Sequence, residues 1–113
     1  MKSSAELIQA QVDAYNARDL EAFLAAYAES VVLLKDGREQ TLDKAVLRER
    51  YGKLFRENPD LKCEIRSREV AGDAVIDEEH VTGFADGVVR RVRARYELAD
   101  GLINRVSFTA LPG

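Results

Sequence analysis

Asp77 and Glu79 stand two residues apart in the run Val75-Ile76-Asp77-Glu78-Glu79-His80-Val81. If that run is a strand, both carboxylates project from one face with their backbones about 6 to 7 Å apart. Two acids so placed could divide their labour, one holding a proton while the other stays ionised, which is the arrangement acid–base catalysis uses. They could equally be members of a buried ion-pair network, with Arg68 and Arg66 as cross-strand partners. Which reading applies depends on the elements that orient the two side chains.

Those elements change rhythm at Pro59. Before it, apolar residues recur at helical spacing; after it, they alternate, interrupted by Gly72-Asp73, Asp86-Gly87 and Asp100-Gly101. An Asp-Gly pair between alternating segments marks a tight hairpin, because both central residues of a type I′ turn need positive φ. The spacing predicts four antiparallel strands, over 61–70, 74–84, 88–98 and 102–111. In the first half, Ser4 is a suitable N-cap for a helix that ends near Asn16, and Asp19 restarts the pattern as the cap of a short second helix. Val31-Val32-Leu33-Leu34 reads as a short buried strand stopped by Asp36-Gly37, with 38–42 as its return partner. Asp43 caps a third helix, which Asn58-Pro59 ends, since a residue before proline is pushed out of the α region. The expected fold is α+β: a cone-shaped, curved antiparallel sheet with three helices from the N-terminal half on its concave face, one domain over residues 1–113. The mouth of such a cone is a natural ligand cavity.

Hairpin register then places the side chains. With Asp86-Gly87 as a two-residue loop, Glu79 faces Ala94 and Asp77 faces Tyr96; with Gly72-Asp73 likewise, Arg68 faces Asp77 and Arg66 faces Glu79. Val92, Ala94, Tyr96 and Leu98 are the apolar parity, so Asp77 and Glu79 point toward the helices. Acids aimed at an apolar interior are a local conflict, and such conflicts concentrate at functional sites. Tyr15, Tyr27, Tyr51 and Phe55 fall on helix stripes and, with Tyr96, are candidates to line the cavity. Each could equally be plain core. His80, the only histidine, falls on the outer face across from Arg93, where a lone imidazole makes no metal site. Ile76, Thr82, Phe84 and Val89 share that outer face with Arg91, Arg93, Arg95 and Glu78. A mixed apolar and charged sheet face of this kind suits a symmetric homodimer.

The chain has 113 residues, 46% hydrophobic and 33% charged, with a net charge of -3. That is the composition of an ordinary soluble globular protein, and the charge argues against nucleic acid, which demands a basic footprint. No apolar run approaches the roughly 18 residues that span a bilayer, and Met1 leads into an amphipathic segment rather than a signal peptide. The expectation is a cytoplasmic protein without a membrane partner. Cys63 stands alone, and no phosphate loop, nucleotide fingerprint, zinc motif or nucleophile elbow occurs, so neither metal nor cofactor is expected.

Tyr15-Asn16-Ala17-Arg18-Asp19-Leu20-Glu21-Ala22-Phe23, Tyr27-Ala28 and Asn58-Pro59-Asp60 resemble the nuclear transport factor 2-like superfamily. So do Val75-Ile76-Asp77-Glu78-Glu79-His80-Val81-Thr82-Gly83 and Tyr96-Glu97-Leu98-Ala99-Asp100-Gly101-Leu102-Ile103. The chain is similar to its small SnoaL-like and steroid isomerase-like members. The resemblance implies the cone fold, and a homodimer paired through the outer sheet face. It does not imply one activity, because the superfamily holds isomerases, dehydratases, hydrolases, cyclases and proteins that only bind. The ketosteroid isomerases of this fold use a tyrosine, an aspartate base and a protonated aspartic acid. Their places here fall on Gln11, on Lys35 and on Arg90 or Arg93, which argues against that mechanism. Two functions follow: a domain that binds or turns over a small apolar ligand in a mostly apolar cavity, or a non-catalytic dimeric interaction and scaffold module.

Overall fold

Ser3, one residue before the expected cap, starts the first helix because Glu6 lies three residues on. The Ser3 hydroxyl accepts from the Glu6 N–H and the Glu6 carboxylate accepts from the Ser3 N–H, a reciprocal capping box. The computed structural model describes residues 2–112, and in it helix α1 runs Ser4–Ala17. Asp19 caps the short α2 (Leu20–Leu24), and Asp43 caps α3 (Lys44–Glu57), each accepting a backbone N–H three residues ahead. Strands β1 (Tyr27–Lys35) and β2 (Arg38–Asp43) form a hairpin. The meander follows as β3 (Lys62–Ala71), β4 (Ala74–Thr82), β5 (Arg90–Ala99) and β6 (Leu102–Ala110).

The six strands form one curved sheet in the order β2-β1-β6-β5-β4-β3. One pairing departs from the antiparallel expectation. The chain leaves β2 at one edge, crosses by α3 to the far edge and zigzags back, so β6 arrives beside β1 running in the same direction. Tight turns specify only the pairs they connect, and no turn joins β1 to β6. The helices pack on one face, where Ile8, Val12, Phe23 and Leu24 meet Val31, Val75, Tyr96 and Ile103 in one buried cluster. Each such side chain is worth roughly 1.5 to 3 kcal/mol of transfer free energy.

Two irregularities shift the expected registers, and both bear on the site. Strand β4 stops at Thr82 because Gly83 takes φ +85° against the Asp60 carbonyl, where a Cβ would lie 1.9 Å from the oxygen. The β4–β5 connection is therefore a longer loop, tied down by Asn58, whose side-chain oxygen accepts from the Ala85 N–H. Glu79 consequently faces Val92 rather than Ala94, and Asp77 faces Ala94 rather than Tyr96. His80 faces Arg91 rather than Arg93. A slip of two preserves the faces, so Asp77 and Glu79 still point inward. The second irregularity is a bulge at Arg66 in β3, which sets Ile65, not Arg66, opposite Glu79. Arg66 instead reaches Glu64, 3.1 Å away, on the exposed side.

Candidate functional site

The two acids with which the sequence reading begins have different fates. Asp77 is completely buried, and its carboxylate accepts two bonds from Arg68, at 2.7 and 2.8 Å, in a bidentate pair. Arg68 also donates to Gln9 on α1, 2.8 Å away. Asp77 is thus the anion of a structural ion pair linking β3, β4 and α1. Glu79 has no such partner, because the bulge that removes Arg66 leaves it without the cation that the regular register promised. Its carboxylate accepts instead from the Tyr96 hydroxyl at 2.8 Å, and the Cys63 thiol lies beside it. Burial, reinforced by the negative charge of Asp77, raises Glu79 from the usual 4.5 to about 7; the Tyr96 hydrogen bond opposes this only in part. A carboxyl poised there can both give and take a proton near neutral pH.

Glu79 opens into a cavity of about 510 Å³ between the sheet and the helices. Val12, Phe23, Val31, Leu47 and Val106 supply much of its apolar wall. Of the aromatic candidates, Tyr15, Tyr27, Tyr51 and Tyr96 line it, whereas Phe55 stands behind them, edge-on to Tyr15 and to Phe23. Burial pushes the Tyr51 hydroxyl up to about 12 and that of Tyr15 higher still, so both are hydrogen-bond donors at neutral pH. Burial also raises the Cys63 thiol, which makes it a poor nucleophile.

Alternation did not single out the remaining polar lining. Gln11 on α1 is 5% exposed and donates from Nε2 to the Tyr27 hydroxyl at 3.0 Å, yet its buried Oε1 has no partner among the described residues. Gln11, Lys35 and Arg90, on which the resemblance puts the isomerase tyrosine, base and one of two alternatives for the acid, all line the cavity. Arg93 instead pairs with Glu78 on the outer face, 3.7 Å away. Phe84, expected on the outer face, turns after Gly83 to the cavity rim, where the Arg90 guanidinium lies 4.1 Å from its ring centre. Asn16, at the end of α1, clamps the backbone of Cys63 through two hydrogen bonds of 2.9 and 2.7 Å. The motif Tyr15-Asn16-Ala17-Arg18-Asp19 contains it, but only the folded chain gives it this role of fixing β3 just before its bulge. Among the described residues, no group of three or more acidic, histidine or cysteine side chains could hold a metal. No helix among them is long and apolar enough to cross a membrane.

The family model of the SnoaL-like domain matches residues 8–106 of this chain. No curated protein matches it. Among solved structures, an uncharacterised cystatin-fold protein from Novosphingobium aromaticivorans is 25% identical over 96% of this chain and 99% of its own, with a TM-score of 0.85. A nuclear transport factor 2-like protein of unknown function from Cytophaga hutchinsonii is 13% identical over 99% of this chain and 93% of its own, with a TM-score of 0.82. A proposed polyketide cyclase from Sinorhizobium meliloti is 17% identical over 96% of this chain and all of its own, with a TM-score of 0.79.

Proposed function

This chain belongs to the SnoaL-like domain family of the nuclear transport factor 2-like superfamily, and from that premise we propose that it binds a small, mostly apolar carbonyl compound and moves a proton on it with Glu79. One observation carries the reading: a carboxyl without a cation, held near pKa 7, faces an apolar cavity of about 510 Å³. The ionised Glu79 takes a proton from the carbon beside the carbonyl. The electrons of the broken C–H bond move onto the carbonyl oxygen, where the hydroxyl of Tyr15 or Tyr51 can donate to the developing charge. The proton then returns from Glu79 to the same or a neighbouring carbon. A proposed polyketide cyclase among the structural neighbours agrees with chemistry at a carbonyl. The reading does not draw on the steroid isomerase machinery, whose three places, as the resemblance sets them, fall on Gln11, Lys35 and Arg90 or Arg93.

The test needs no known substrate. Aromatic ketones and β-diketones incubated with the protein in heavy water should gain deuterium next to the carbonyl, followed by NMR. The rate should rise with pH through about 7 as Glu79 ionises. Glu79→Gln should lower it at least about 100-fold, the usual scale of a lost general base. Equal exchange by the variant and the native protein would remove Glu79 from the reaction.

The outer face of β4 and β5 bears half-buried Ile76, Glu78 and Thr82 beside exposed Arg91, Arg93 and Arg95. The proposal includes a homodimer paired through this face, where arginine and glutamate of one copy can meet their counterparts in a two-fold arrangement. Light scattering at micromolar concentration should give twice the protomer mass, and the protomer mass would contradict the pairing.

A further inference from the structure

The cavity is apolar within and cationic at its opening. Lys35, Arg38, Arg50 and Arg90 all line it and all are exposed, so their charges stand at the mouth. They come from four places: the end of β1, the start of β2, the middle of α3 and the start of β5. Glu79 is the sole acid among the lining residues, and it lies buried rather than at the mouth. Lys35, Arg38 and Arg50 take part in none of the ion pairs among the described residues. Arg50 is held by a neutral partner, donating to the Gln40 side chain at 3.1 Å. Arg90 has Asp86 at 3.7 Å, an exposed pair of little strength. Asp36, in the β1–β2 turn, does not line the cavity. The whole chain is net negative, so four cations gathered at one opening are a local choice rather than a consequence of composition. A second observation is independent of charge: the Gln11 Oε1, buried and unpartnered on the cavity wall, lacks a hydrogen-bond donor.

From this we infer that the ligand is an amphipathic organic anion, with an apolar body inside the cavity and a carboxylate, sulfonate or ionised enol at the mouth. An N–H or O–H on its inner part would satisfy Gln11. The inference rests on the cavity being the ligand site, as proposed above, and adds the charge and orientation of what enters it. Low-dielectric walls strengthen the attraction of the four cations for such a group.

A pair of dyes separates the two claims: anilinonaphthalene sulfonate and its uncharged analogue phenylnaphthylamine, titrated by fluorescence. The measured quantity is the ratio of their affinities. In the triple variant R38Q/R50Q/R90Q the ratio should fall roughly tenfold against the sulfonate, and added salt should lower it in the native protein. The neutral dye should bind both proteins alike. These substitutions are on exposed side chains, and matching melting curves verify that the variant is folded. Leu33→Trp, which narrows the cavity from its wall, should weaken both dyes. An unchanged ratio in the triple variant, with both dyes still bound, overturns the anion assignment and leaves the cavity standing. Sulfonate affinity that survives Leu33→Trp undiminished places the dye elsewhere and also overturns it. Failure of both dyes to bind the native protein removes the cavity reading and this inference with it.

Discussion

Replacing Arg68 by methionine is expected to destabilise the fold by about 3 to 5 kcal/mol, because it leaves Asp77 as a buried charge without a cation. Asp77 has no solvent exposure, and among the described residues only Arg68 neutralises it, through two bonds. The reverse change, Asp77→Asn, should cost less, about 1 to 3 kcal/mol. The Arg68 side chain keeps 18% exposure and a second acceptor in Gln9, and the amide oxygen can still accept one of its bonds. A double variant that removes both charges, Arg68→Met with Asp77→Leu, should recover much of the loss, since apolar replacement of a buried pair is often near neutral. Urea denaturation at neutral pH distinguishes the three. An Arg68→Met protein within about 1 kcal/mol of the native one would mean that water already reaches Asp77.

The asymmetry between the two acids explains how far the sequence could be read. Inward orientation was legible, because period-two alternation in β4 and β5 sets the faces and a register slip of two leaves them unchanged. The Arg68–Asp77 pair was legible too, since Gly72-Asp73 is a true two-residue turn and the register near it is reliable. Farther from that turn, the bulge at Arg66 intervenes. No residue type announces it, and it separates a second salt bridge from an unpaired carboxyl. The β4–β5 loop failed for a tertiary reason: Gly83 must pass close to the Asp60 carbonyl, and the Asp86-Gly87 pair turns within a wider loop instead of closing the hairpin. The cationic mouth was illegible for a different cause. Lys35 and Arg38, Arg50, and Arg90 lie in three separate stretches of the chain and look like ordinary surface charges until the β1–β2 hairpin, α3 and β5 bring them to one opening.

Glu79 should make the native protein less stable as pH rises from about 4.5 to about 7, the reverse of the usual carboxylate behaviour. Below 4.5 the acid holds its proton in both the folded and the unfolded chain and contributes nothing to pH dependence. Between 4.5 and about 7 the unfolded chain releases the proton while the folded one retains it. The folded state then binds more protons, so the free energy of unfolding falls with pH until Glu79 ionises in place. At about 1.4 kcal/mol for each tenfold change in proton affinity, the total is about 3 kcal/mol at full ionisation. Glu79→Gln keeps the shape and a hydrogen bond to Tyr96 but cannot ionise. It should match the native stability near pH 4 to within about 1 kcal/mol and exceed it by about 2 to 3 kcal/mol at pH 8. Every other titrating group is common to both proteins, so the difference between the two curves isolates this one. Urea denaturation across that range provides both curves. Parallel curves would show that Glu79 titrates as an ordinary carboxylate, and would withdraw the near-neutral proton on which its proposed chemistry depends.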